Sequence, residues 1–294
     1  MYKQIMTKIT TGQKLTEEEI FSLIAAINRS QISDVQIAGF QVGLLMKGTS
    51  LDELSAFAKA MRANCVLLRP HVTAELMDTC GTGGGLSTFN ISTATALVAA
   101  AAGIPVAKHG SRSGSADVLE ALGVNINLTP QQAERLIEDI GIAFIYAPLF
   151  HPVMCKVLPP ETELGIKTIF YTIIGPLINP AFAPRHLLGV YKPELLDTVT
   201  YVARELGYTN AMFVHGLDGL DEISLLGKTR INYLKNGTVR TFEITPEEFG
   251  MKSCSLEDIK TGTPTENADT IRGVFSGAVT GPRKDAVVLN AAGA

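Results

Sequence analysis

Asp78-Thr79-Cys80-Gly81-Thr82-Gly83-Gly84-Gly85-Leu86-Ser87-Thr88-Phe89-Asn90-Ile91-Ser92-Thr93 places four glycines within five residues, between an apolar segment and an alanine-rich run. Leu76–Thr79 has the composition of a strand and the run after Asn90 that of a helix, so the glycines fall at a strand-to-helix turn. Lacking Cβ, they let the backbone approach an anion and turn successive N–H groups toward it. The following helix adds unpaired amides and the positive end of its dipole. A bare glycine run of this kind is more often a tight turn before an ordinary N-cap. The crowding of Ser87, Thr88, Asn90, Ser92 and Thr93 beside it moves the balance to phosphate binding. The pattern is neither G-x-G-x-x-G nor G-x-x-x-x-G-K-S/T, which disfavours a dinucleotide or a P-loop triphosphate.

Val106-Ala107-Lys108-His109-Gly110-Ser111-Arg112-Ser113-Gly114-Ser115-Ala116-Asp117 repeats the arrangement of strand, small polar loop and helix start, now with two cations and three serines. A solvated turn is an equally good reading of either loop alone. Two such loops on neighbouring strands suggest a ligand with two separated phosphates. Past another strand candidate, Asp221-Glu222 sets adjacent carboxylates at a strand end, suited to Mg²⁺ that bridges phosphate oxygens. Taken alone, such a pair is usually a solvated loop.

Outward from these loops the chain divides in two. Residues 1–68 contain few glycines, and Ile5, Ile9, Ile20, Leu23, Ile24, Ile27, Ile37, Phe40, Leu44 and Leu45 recur at helical steps. Thr16-Glu17-Glu18-Glu19 reads as an N-cap with acids in the first turn, and Gly48-Thr49-Ser50 as a stop before a new cap. Residues 69–294 alternate short apolar runs with helical patterns, the rhythm of an α/β domain. Strands are expected at 76–79, 104–107, 143–146, 187–191, 211–215, 229–234 and 239–244, and helices near 92–102, 115–122, 130–140, 193–206 and 267–276. The expected fold is α/β: a small N-terminal α-helical domain, joined by a segment near 165–184, and a larger α/β domain with a mixed, mainly parallel sheet.

The 294 residues are 46% hydrophobic and 18% charged, which suits packed cores and excludes disorder. A net charge of −4 draws the whole chain to neither nucleic acid nor membrane, so small-molecule partners are expected. Cys65, Cys80, Cys155 and Cys254 stand too far apart for a metal-ligand motif or disulfide framework. With no signal-like N-terminus, a cytoplasmic protein is expected.

Six blocks in fixed order resemble the anthranilate phosphoribosyltransferases, within the fold group that also holds the pyrimidine nucleoside phosphorylases. They are GTGG with STFNIST, VAKHG with GSADVLEALG, HPVM, ELGIKTIF, GPLINPA and HGLDGLDEIS. The resemblance covers nearly the whole chain. It implies transfer of 5-phosphoribose from phosphoribosyl pyrophosphate to anthranilate, with pyrophosphate release, in tryptophan biosynthesis. Gly81, Gly83, Gly84, Thr88, Asn90, Ser92, Thr93, Lys108, Ser113 and Ser115 would bind phosphoribosyl pyrophosphate. Ser92, Asp221 and Glu222 would hold two Mg²⁺ ions. Gly81, His109, Ser111, His151, Gly175 and Pro176 would border the aromatic acceptor. No residue is assigned as general base, because an arylamine is already a neutral nucleophile, and a homodimer through the helical domain is implied.

The chain departs from the family pattern at several points. Gly85 stands where the family has an acid, Ser111 where it has asparagine, and Glu161 where it has the arginine that binds the anthranilate carboxylate. The family also has more serine-rich residues between Ser113 and Gly114, and its last helix continues past residue 294. A carboxylate cannot replace a bidentate cation, so Lys167 or Lys156 is the expected substitute. The alternatives are an acceptor amine without a carboxylate, and a non-catalytic relative that binds nucleic acid. The acidic charge and the Asp221-Glu222 pair argue against the last.

Overall fold

The computed structural model describes residues 1–111 and 115–294. Arg112, Ser113 and Gly114 lie outside the described residues, so the expected contribution of Ser113 is not placed.

Helices α1 (Tyr2–Thr10), α2 (Glu17–Asn28), α3 (Asp34–Lys47) and α4 (Leu51–Ala63) form the N-terminal unit. The starts of α2, α3 and α4 are set by capping boxes. At α2 the Thr16 hydroxyl accepts from Glu19 N at 3.2 Å, and the Glu19 carboxylate accepts from Thr16 N at 2.8 Å. Ser33 with Gln36 and Ser50 with Glu53 repeat the device at α3 and α4. The C-terminal stop of α3 is Gly48 at φ 79°, a backbone angle that glycine adopts without strain.

The larger unit follows as β1 (Met77–Gly81), α5 (Ile91–Ala101), β2 (Val106–Gly110), α6 (Asp117–Ala121), α7 (Pro130–Ile140), β3 (Ile142–Tyr146), α8 (Ala147–Phe150), α9 (Met154–Leu164), a π-helical turn (Phe170–Ile174) and α10 (Gly175–Leu177). It continues with β4 (Arg185–Gly189), α11 (Pro193–Glu205), β5 (Asn210–Gly216), β6 (Thr229–Lys235), β7 (Thr238–Ile244), α12 (Leu256–Ile259), α13 (Pro264–Ser276) and α14 (Pro282–Gly293). All seven expected strands are present and pair in the order β3-β2-β1-β4-β5-β6-β7. The first five run parallel; β6 and β7 pair antiparallel. Because β1 to β5 run the same way, the turns that follow them open on one edge, where ligands of open α/β sheets bind.

Helix α9 is not expected from the sequence, because Pro159 and Pro160 interrupt it. Neither proline has an N–H, so the carbonyls of Cys155 and Lys156 lose their helical donors. Packing compensates: Val153, Met154 and Val157 join Phe170, Ile173, Ile174, Leu177 and Ile178 in one core with α1–α4. The same core takes in Leu188 of β4, Val190 just after it, and Leu196, Val199 and Val202 of α11, so it runs from the helices into the sheet domain. Ala181 and Ala183 pack instead in a cluster with Ala107, Ala143 and Ile145 of the sheet.

Candidate active site

Two strand ends in register, Gly81 of β1 and Gly189 of β4, are glycines because Asp221 crosses them. A Cβ on Gly81 would collide with Asp221 Oδ2, and one on Gly189 with the Asp221 carbonyl oxygen. Beyond Gly81 the chain turns through Gly83 (φ 66°) and Gly84 (φ 92°), and Gly83 N donates to Asp221 Oδ2 at 2.9 Å. Thr82 anchors the turn: its N donates to Gly189 O at 2.8 Å and its hydroxyl accepts from Tyr191 N at 3.0 Å. The first anion loop and the acidic pair, 138 residues apart, are thus one structure.

Helix α5 starts directly behind this turn. The backbone N–H of Ser92 donates to the Glu222 carboxylate, and the Ser92 carbonyl accepts from the Thr79 hydroxyl at 2.9 Å. Asn90 is the N-cap residue of α5, and the buried Thr93 hydroxyl has no hydrogen-bond partner among the described residues. Thr88 forms an isolated antiparallel bridge with Lys260. Lys108 does not project into the loop after β2. It is buried, and its ammonium donates to Thr79 O at 2.6 Å. Ser115 is also buried, its N–H reaching Ser111 O at 3.3 Å.

Asp221 and Glu222 are raised above the usual carboxylate range. Burial is the main cause for both, and for Glu222 the Asp221 charge adds to it, pushing Glu222 up to about 8. Two desolvated neighbouring carboxylates are unfavourable when both ionise, and a divalent cation offsets both charges. With the Ser92 backbone N–H bonded to Glu222 beside them, the residues present fit Mg²⁺. At pH 7 the raised Glu222 is mostly protonated, and the ion must displace that proton. The Mg²⁺ concentration for half-maximal rate should therefore fall about tenfold per pH unit from 6 to 8, then level off above 8. A flat Mg²⁺ requirement across that range would contradict this.

Against Gly81 and Gly83 lies a cavity of about 720 Å³, walled by the ends of β1 and β2, by α8 and α9 and by the segment from Tyr171 to Ile178. Gly81, His109, Ser111, His151, Gly175 and Pro176 all line it. Gly84, Thr88, Asn90, Ser92, Thr93, Lys108, Ser115, Asp221 and Glu222 do not, so the residues expected to hold phosphate and metal lie outside the cavity wall, and Asp221 is joined to it through its hydrogen bond from Gly83. Sequence reasoning missed the face of α9 that supplies Met154, Cys155, Leu158, Thr162 and Glu163, and the ring of Tyr171. The spacing 151, 154, 155, 158, 162 is helical and was legible but for the prolines.

His109 Nε2 and His151 Nε2 lie 3.0 Å apart with rings nearly edge-on, so one donates to the other. Burial pulls His109 down to about 4 and His151 well below its usual range, leaving both neutral at physiological pH. Glu161 does not face the acceptor. It is buried, accepting from Gln41 Nε2 at 3.1 Å and from the Thr168 hydroxyl, and so ties α9 to α3. Lys156 points away as well, donating to Ile27 O at 3.1 Å, to Asn28 O and to Ser30 Oγ at 2.8 Å, at the end of α2. Replacing it by alanine should lower stability by about 1–2 kcal/mol in denaturant unfolding, with the acceptor KM unchanged. Lys167 is the cation near the cavity, its Nζ 4.8 Å over the Tyr171 ring.

Residues 73–294 match the model of the glycosyl transferase family a/b domain, and residues 3–65 its helical bundle domain. An anthranilate phosphoribosyltransferase of Acetivibrio thermocellus is 47% identical over 100% of this chain and 86% of its own length. The chain belongs to the anthranilate phosphoribosyltransferase family. A second member, from Methanosarcina acetivorans, is 46% identical over 99% of this chain and 80% of its own. The crystal structure of the anthranilate phosphoribosyltransferase from Thermus thermophilus superposes with a TM-score of 0.89 at 41% identity, covering 98% of this chain and 87% of that one. The Saccharomyces cerevisiae anthranilate phosphoribosyltransferase, solved in complex with PRPP and Mg, gives 0.89 at 26% identity over 99% and 86%.

Proposed function

We propose that this chain transfers the 5-phosphoribosyl group of phosphoribosyl pyrophosphate (PRPP) to anthranilate and releases pyrophosphate. The observation that carries this reading is the Gly83–Asp221 hydrogen bond, which makes the anion loop, the acidic pair and the cavity one site. The yeast relative binds PRPP with Mg, and a second structure of it holds 4-fluoroanthranilate.

The Gly81–Gly84 turn and the start of α5 would lie against the pyrophosphate, and Asp221 and Glu222, with Ser92 beside them, would hold two Mg²⁺ ions. Bound Mg²⁺ supplies positive charge where the departing pyrophosphate becomes more negative. As the C1–O bond of the ribose breaks, C1 gains oxocarbenium character, and the acceptor nitrogen attacks from the face opposite the leaving group. The acceptor amine is neutral before attack and loses its proton after the C–N bond forms, so positioning matters more than a strong base. His109 and His151, both neutral, border that position without adding charge. Incubating the chain with PRPP and Mg²⁺ while anthranilate fluorescence is followed tests the reading. Loss of fluorescence that requires both is expected; no loss, at any Mg²⁺ concentration, would overturn it.

One observation favours a second acceptor class. Among the described residues no lysine or arginine lines the cavity, and Glu163 does, which suits an aromatic amine without a carboxylate. Pyrophosphate release with such an amine, faster than with anthranilate, would select it. A homodimer completes the proposal: Val35 (82% exposed), Val42, Leu45 and Met46 (81% exposed) leave an apolar strip along the outside of α3. Among the described residues no helix is long and apolar enough to cross a membrane.

A further inference from the structure

Behind the floor of the cavity, Asp78 and Cys80 of β1 and His186 of β4 bring a carboxylate oxygen, a thiol sulfur and an imidazole nitrogen within 4.8 Å of one another. Cys80 lines the cavity, while Asp78 and His186 are buried behind it. The same ring nitrogen faces both neighbours: His186 Nε2 lies 3.1 Å from Cys80 Sγ and 3.8 Å from Asp78 Oδ2. It can accept a hydrogen from the thiol or carry one toward the carboxylate, but not both, and 3.8 Å is too long for a hydrogen bond. A cation at the centre serves all three.

We propose that Cys80, His186 and Asp78 form a second cation site, separate from Asp221 and Glu222, that takes a borderline divalent ion such as Zn²⁺ and closes the floor of the acceptor cavity. Tetrahedral zinc with sulfur, nitrogen and oxygen ligands sets neighbouring ligand atoms about 3.4–3.6 Å apart. The separations of 3.1 and 3.8 Å from His186 Nε2 bracket that spacing, and the Cys80 sulfur and Asp78 carboxylate, within 4.8 Å of each other, close on an ion by side-chain rotation. The surrounding groups already orient two of the ligands. Asn179 Nδ2 donates to Asp78 Oδ2 at 2.8 Å, and the His186 ring stacks on Tyr208 with centroids 5.7 Å apart.

The donor set selects the ion. Thiolate and imidazole suit Zn²⁺ or Cd²⁺, whereas Mg²⁺ demands oxygen ligands in octahedral array, so the two sites do not compete for one metal. On binding, the Cys80 thiol proton leaves to solvent as the sulfur–metal bond forms. The fourth position would open on the cavity side, which Cys80 lines and where the acceptor is proposed to sit.

The site is tested with Cd²⁺ as probe, in a Cys155→Ser background that removes the exposed thiol of the same cavity, with Mg²⁺ in excess. One equivalent of Cd²⁺ should raise the ultraviolet cadmium–thiolate charge-transfer band. The band should be absent in Cys80→Ser and require more than roughly tenfold higher Cd²⁺ in His186→Gln. No band, a band that survives Cys80→Ser, or one that excess Mg²⁺ abolishes would overturn the proposal. A kinetic arm rests on the phosphoribosyltransferase reading. Zn²⁺ should raise the KM for the acceptor severalfold and leave that for PRPP unchanged, and an effect on PRPP alone would refute closure of the cavity floor. The Cd²⁺ band stands or falls whether or not the chain proves to be a phosphoribosyltransferase.

Discussion

Exchanging Asp221 for asparagine and Glu222 for glutamine together is expected to lower kcat/KM for PRPP by roughly a thousandfold, about 4 kcal/mol of transition-state stabilisation. The two amides keep the shape of the site, and their carbonyl oxygens can still accept from Gly83 N and Ser92 N as the carboxylates do. They remove both negative charges, and neutral oxygens hold Mg²⁺ poorly against water. Because burial already raises both carboxyls, and the Asp221 charge raises Glu222 further, neutralising them relieves the ligand-free protein. The double variant should unfold at the same or higher denaturant concentration than the parent. Loss of activity together with gain of stability is the signature of a site strained for function. Activity within tenfold of the parent would show that the pair is not part of the reaction.

Asp78→Ala is expected to have the largest effect on stability, about 3–5 kcal/mol. Asp78 is fully buried; Oδ1 accepts from His109 N at 3.0 Å and Oδ2 from Asn179 Nδ2 at 2.8 Å. Its charge faces the buried Lys108 ammonium, whose pKa burial lowers and Asp78 raises. Alanine would strand two donors and leave Lys108 with less compensation in the interior, a large fraction of the net stability of a typical domain. Asp78→Asn keeps acceptor capacity while losing the charge, and should cost less than the alanine. Denaturant unfolding of the three proteins checks the order; a loss below about 1 kcal/mol for alanine would mean that this network is dispensable.

The strands were legible because each is a short apolar run between glycine or polar turns, and β1 to β5 needed nothing else to declare a parallel sheet. The loops after β1 and β2 and the acidic pair were legible as chemistry, but the bond from Gly83 to Asp221 was not, since the sequence holds no sign of which loops meet. Helix α9 was hidden by Pro159-Pro160, which local rules read as a break and which core packing overrides. The same blindness misplaced Glu161: its position in the motif points to the acceptor, while its rotation on α9 directs it to Gln41 and Thr168. Lys108 reads as a phosphate cation and sits under β1 because a buried Asp78 requires a counter-charge. Cys80 and His186, 106 residues apart, carry no spacing signal at all.

The account stands on the Gly81–Gly84 loop and the Asp221–Glu222 pair acting together on one substrate. The most direct measurement is a crystal structure of the chain with PRPP and Mn²⁺ in place of Mg²⁺, with anomalous scattering used to locate the metal. The account predicts manganese within coordination distance of the Asp221 and Glu222 carboxylates and the pyrophosphate against the Gly81–Gly84 turn and the start of α5. Manganese elsewhere, or pyrophosphate bound away from that loop, would contradict it.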